Sequence, residues 1–165
     1  MIKLIYYAYV QSLLQFGIIA WGAAYKSTIT PLQINQNSII KSAMRKNKMY
    51  PTKYLYTEFQ VLNIRQLYLK KLIIYTHINK ATILENINHT YNTRLSSNVG
   101  ITGPRLLKSC NATSSSYLSH IVFSKLPKHL TNPQCSIETF KNQLSNWLKG
   151  MDFEKIESLV RSPYI

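Results

Sequence analysis

The sequence predicts a mainly α-helical fold: a small domain of about four to five helices, with an irregular, loop-rich segment around 86–120. Three observations carry that prediction. Apolar residues recur at helical spacing through 4–21, 32–44 and 64–78. Start and stop signals bracket several of these runs. After about residue 85 the periodicity fades and Asn, Ser, Thr and Gly accumulate. At 165 residues the chain fits one compact unit or two small lobes and can bury a core without disulfides. The expected division is a helical region over 1–85, a loop-rich linker over 86–135 and C-terminal helices over 136–165.

The first element is a helix over 4–21. Residues 4–25 contain no charged side chain. At about 100° per residue, Ala8, Gln11, Ser12 and Gln15 form one narrow polar stripe, and Tyr6, Tyr7, Tyr9, Val10, Leu13, Leu14, Phe16 and Trp21 fill the rest. The pattern reads as a core helix buried on most of its circumference, with Phe16 and Trp21 in packing roles. Gln11, Ser12 and Gln15 interrupt the apolar run that a signal peptide needs and dilute a membrane span. Those two readings stay as alternatives, since Gly22-Ala23-Ala24 resembles a cleavage site.

A second helix is expected from Thr30, acting as cap, and Pro31 in its first turn. Leu32, Ile39, Ile40, Ala43 and Met44 share one arc with Gln36 in its middle, where the amide would satisfy a buried backbone group or a facing helix. Lys41, Arg45 and Lys48 run beside that arc as a basic ridge. Residues 50–62 read as a short helix or turn. A third, strongly apolar helix has Ile64, Leu67, Tyr68, Ile74, Tyr75 and Ile78 as its main face, with Lys71 snorkelling from it or lining a groove. Near the end, Ser136 caps a clear helix that Gly150 stops, and 152–162 adds a further short one.

Charge narrows the function classes. Lys and Arg number 20 against six acids, a net charge of +14. A surface this basic calls for an anionic partner, nucleic acid first and an anionic membrane second. Phosphoryl transfer by two metals needs several convergent carboxylates, and before residue 138 only Glu58 and Glu85 are present. No phosphate-binding loop, dinucleotide fingerprint or nucleophile elbow occurs. His77, His89, His120 and His129 lack metal-ligand spacing, and Cys110 and Cys135 are either paired or free thiols. Neither catalysis, nor a metal, nor a cofactor is expected. Basic residues interleaved with aromatics, as in KSAMRKNKMYPTKYLY, suit phosphate contacts beside stacked bases.

Several stretches resemble one known family in collinear order. LIYYAYVQSLLQFGIIAWG, with Phe16, Gly17, Trp21 and Gly22, is followed by LQINQNSIIKSAMR, with Leu32, Gln33, Gln36 and Lys41. Further on stand FQVLNIRQLYLKKLIIYTHINK, HTYNTRLSSN, VFSKLPKHL and TFKNQLSNWL. This order resembles the region behind the palm in reverse transcriptases of non-LTR retrotransposons, over about residues 4–149. Lys41 stands where that family more often has Arg, and Ser124 where it usually has Asn.

The resemblance implies the thumb and following linker of an RNA-directed DNA polymerase, which grips template–primer. Fingers, palm and paired aspartates would precede Met1. The expected partners are therefore RNA or DNA, held through phosphates, and the polymerase palm, with no membrane, inside the cell in nucleus or cytoplasm. The candidate contacts are Lys41, Arg45, Lys46, Lys48 and Lys53, with Lys70, Lys71 and Arg94 as secondary ones. The alternatives are a non-functional transposon remnant, or a small basic secreted or structural protein with Cys110 joined to Cys135.

Overall fold

A computed structural model describes residues 1–79, 115–127, 130 and 136–161, and among them the chain is mainly helical. The helices are α1 (Ile2–Ile5), which runs through a π-helical segment (Tyr6–Gln11) into α2 (Ser12–Gln15), then α3 (Ile18–Trp21), α4 (Lys26–Ala43), α5 (Thr52–Phe59), α6 (Ile64–Ile78), α7 (Ser115–Ser124), α8 (Ile137–Lys149) and α9 (Phe153–Arg161).

Helix α6 is the hub, packing against α2, α3, α4, α7, α8 and α9. A capping box starts it: Asn63 Oδ1 accepts from the Gln66 amide (2.8 Å), and Gln66 Oε1 accepts from the Asn63 amide (2.9 Å). Leu67, Tyr68, Leu69, Leu72 and Ile73 then join Ile18, Leu118, Val122, Phe140, Leu144, Leu148, Ile156 and Val160 in one core. The outer segments of the expected division thus share a core. A second, smaller cluster of Tyr6, Ile40, Leu55, Phe59 and Val61 lies between the N-terminal helix, α4 and α5.

The buried face of α6 differs from the expected one. Tyr75 and Ile78 are exposed and Ile74 is half-buried, whereas Leu69, Leu72, Ile73 and Thr76 are buried. A helix packed from several sides has no single apolar stripe for periodicity to find. Residues 115–120 are also helical, inside the stretch read as loop. Leu118 and Val122, four residues apart, give α7 its buried side. Other readings within 80–114 and 131–135, among them the redox state of Cys110 and Cys135, lie outside the described residues.

The second helix begins at Lys26 with Tyr25 as its cap, five residues before the expected first turn. Pro31 is therefore interior. Its missing N–H falls on an exposed turn, and Thr30 Oγ1 donates back to the Lys26 carbonyl (2.7 Å).

Helix 2–15 departs furthest from expectation. Only Tyr6 is buried; Val10, Gln11, Leu14 and Gln15 are half-buried, while Leu4, Tyr9 and Leu13 are each more than 70% exposed. Phe16, assigned to packing, is 83% exposed. Part of the reason is the π segment, whose i→i+5 ladder turns less per residue than an α-helix and slides residues off the faces that α-spacing assigns.

The residues carrying the family resemblance serve the fold. Gly17 adopts φ +59°, a left-handed turn that glycine takes without penalty, and so redirects the chain into α3. Trp21 Nε1 donates to the Phe16 carbonyl across that turn (2.9 Å). Gly22 lies against the Tyr68 ring, where a Cβ would stand 2.3 Å from Tyr68 Cδ2 and 2.5 Å from the Ile18 carbonyl. Gln36 meets both halves of its expectation: Nε2 donates to the Leu62 carbonyl (2.9 Å) and to the Tyr6 hydroxyl (2.8 Å). Gln33 joins that network, donating to Tyr56 and accepting from the Ile64 amide (3.3 Å).

Candidate nucleic-acid interface

The basic edge forms where α4 ends and turns towards α5. Lys41 sits in the last turn of α4, where a cation complements exposed carbonyls. Arg45 follows with φ +54°, its amide bonded to the Ser42 carbonyl (3.1 Å), and the Lys46 amide reaches the Lys41 carbonyl (2.9 Å). This closure is the one glycine usually makes. An arginine there carries roughly 1–2 kcal/mol of left-handed strain that a glycine would not.

The edge does not present all its predicted cations. Lys41 Nζ donates to the Lys48 carbonyl (2.7 Å), bracing the turn. Lys46 pairs with Glu58 (3.2 Å) and lies 4.6 Å from the centre of the Tyr50 ring. Tyr50 donates its hydroxyl to the same carboxylate. That bond and the Lys46 ammonium hold Glu58 below the usual carboxylate range. Lys46 is thus compensated within the fold. Arg45, Lys48 and Lys53 remain exposed with no carboxylate partner among the described residues.

Of the interleaved aromatics, Tyr54 is 54% exposed beside Lys53. Tyr56 is turned inward, its hydroxyl 3.0 Å from Gln36 Oε1, and burial pushes its pKa up. One tyrosine of the stretch therefore presents an exposed ring beside a lysine, and its neighbours hold the scaffold.

The secondary contacts lie on α6. Lys71 is exposed at the mouth of a cleft of about 390 Å³ that includes Gln15, Gly17, Ile18 and Ser115, the groove position of the two expected for it. Lys70, one residue earlier, is half-buried. Arg94 lies outside the described residues.

Sequence reading missed Arg65. It is 1% exposed, and its guanidinium donates to the Gly22 carbonyl (2.6 Å), the Ala24 carbonyl (2.8 Å) and Glu157 Oε1 (2.9 Å). One of the chain's 20 cations is therefore a structural rivet and not part of the basic surface.

Among the described residues, no three His, Cys, Asp or Glu side chains gather where one metal ion could be held. Among the same residues, no helix is long and apolar enough to cross a membrane. No protein-family model, curated protein or solved structure matches this chain.

Proposed function

We propose that this chain is the region behind the palm of a non-LTR retrotransposon reverse transcriptase, a helical module that grips template–primer through phosphates and carries no polymerase centre of its own. The observation that carries the reading is the α4–α5 edge. Arg45, Lys48 and Lys53 are exposed there without carboxylate partners among the described residues, and the exposed Tyr54 follows Lys53. Such an edge holds a backbone electrostatically and stacks on a base without reading sequence. In this reading the bare apolar face of helix 2–15 is the seat of the polymerase palm.

Binding of a short random-sequence duplex by the full chain, followed across salt concentrations, tests the proposal. About three to five phosphate contacts give a log–log slope of about −3 to −4.5, at roughly −0.9 per contact. A wild-type slope near zero overturns the reading. Arg45→Gly separates grip from scaffold: relief of the left-handed strain raises stability by about 1 kcal/mol, while loss of the cation lowers affinity. Unchanged affinity would remove Arg45 from the interface.

A further inference from the structure

A second group of lysines gathers where α6 meets α8. Gln66 Nε2 donates to the Leu148 carbonyl (2.7 Å) and pins the end of α8 beside the first turn of α6. Phe140, Leu144 and Leu148 face the core. The adjacent strip of α8 then carries Lys141, Ser145 and Lys149 at i, i+4 and i+8, so both lysines share one side of the helix. Lys70 stands one turn beyond Gln66 on α6, with Lys71 next to it.

None of these four lysines is ion-paired among the described residues. The nearby acids are engaged or peripheral. Glu157 holds Arg65, Glu58 holds Lys46, and Glu138 and Asp152 lie beyond opposite ends of the strip. Burial, and then the charges of Lys149, Lys71 and Lys141, push the Lys70 ammonium below the ordinary lysine range. Such an arrangement is relieved by an anion that contacts several ammonium groups at once. Lys149 also borders a cavity of about 320 Å³ lined by Tyr56, Thr57, Gln60, Gln66 and Asn146, with no carboxylate in its wall.

We propose that Lys70, Lys141 and Lys149 form a second phosphate-binding surface, which holds the sugar–phosphate backbone of the nucleic acid gripped at the α4–α5 edge. The proposal rests on the nucleic-acid reading above. Helix α5 links the two surfaces, with Lys53 in its first turn and Tyr56 and Thr57 in the cavity wall beside Lys149. Its eight residues span about 12 Å, a separation that three or four nucleotides of one strand bridge. Two weak patches on one polymer then act together.

The test compares the full wild-type chain with K141Q/K149Q and with K48Q/K53Q, all four positions being exposed and outside the core. Duplex binding is followed across salt, and thermal unfolding with and without inorganic pyrophosphate. The expected result is a slope shallower by about 2 in K141Q/K149Q, with at least tenfold weaker binding at low salt and a comparable loss in K48Q/K53Q. A K141Q/K149Q variant that binds like wild type, while K48Q/K53Q is weakened, overturns this inference and leaves the nucleic-acid reading standing. A wild-type slope near zero overturns both. If pyrophosphate still stabilises wild type but not K141Q/K149Q, the surface takes a small phosphate ligand and not a polymer.

Discussion

The N-terminal helix over 2–15 and α6 are both rich in Ile, Leu and Tyr, yet their surroundings are opposite. In α6, Ile64, Leu67, Tyr68, Leu69 and Leu72 are completely buried. In the N-terminal helix, Tyr6, Val10 and Leu14 make a narrow seam and the remaining apolar side chains face outward. Apolar content does not separate them; polar anchorage does. Helix α6 is held by its capping box, by Gln66 on Leu148, by Arg65 on two carbonyls and a carboxylate, and by the close approach of Gly22. The N-terminal helix has one buried anchor of that kind, Tyr6 on Gln36. Directional bonds select which apolar helix lies inside, and the hydrophobic effect then makes that choice stable.

The change that breaks the contrast most strongly is Arg65→Ala. It removes the donor to Glu157 Oε1 and to two carbonyls, and urea unfolding should show a loss of about 3–5 kcal/mol. A loss below about 1 kcal/mol would mean that Arg65 does not anchor α6. Gly22→Ala comes next, at about 3 kcal/mol, because the added methyl meets a backbone carbonyl as well as the Tyr68 ring.

Alkaline titration sharpens the comparison from the buried side. Tyr68 is buried, its hydroxyl has no partner among the described residues, and burial pushes its pKa up to about 12, with Arg65 pulling partly back. Above pH 10 the unfolded chain releases this proton and the folded chain keeps it. Stability therefore falls as pH rises from 10 towards 12, by about 2 kcal/mol from this residue. Tyr68→Phe should leave stability at neutral pH unchanged or slightly raised and flatten that decline. An equally steep decline in the variant would count against it.

The smallest effect is expected on the exposed side. Leu13→Gln with Phe16→Ser should alter stability by less than about 0.5 kcal/mol while raising the concentration at which the chain aggregates. A larger destabilisation would show that this face is packed in solution.

How far the sequence could be read follows from the same physics. Ser136 does cap the penultimate helix, accepting from the Thr139 amide (3.3 Å), and Gly150 does follow its last turn, since such signals lie within a few residues. Gln36 was legible because a polar residue on an apolar arc demands a partner. The true outer face of α6 was not, because Leu69, Leu72 and Ile73 are buried by α7, α8 and α9, whose approach no local spacing encodes. Arg65 was counted with the surface because its carboxylate lies 92 residues away. The basic ridge of Lys41, Arg45 and Lys48 was expected from helical spacing, but the helix ends at Ala43, so Arg45 and Lys48 stand in the turn beyond it. Its thinning by Glu58 and by the Lys48 carbonyl depends on a turn that spacing does not describe.

The bond between Arg65 and Glu157 also sets an order of events while the chain is being made. At roughly 5–20 residues per second, the ribosome adds the intervening 92 residues in about 5–18 s. During that interval the guanidinium that is to be buried lacks its counter-charge. The ion pair that locks the first turn of the hub helix therefore forms only after the rest of its core partners have been made. A released chain truncated before residue 157 should bind chaperones more strongly than the full chain, and equal binding would count against this order.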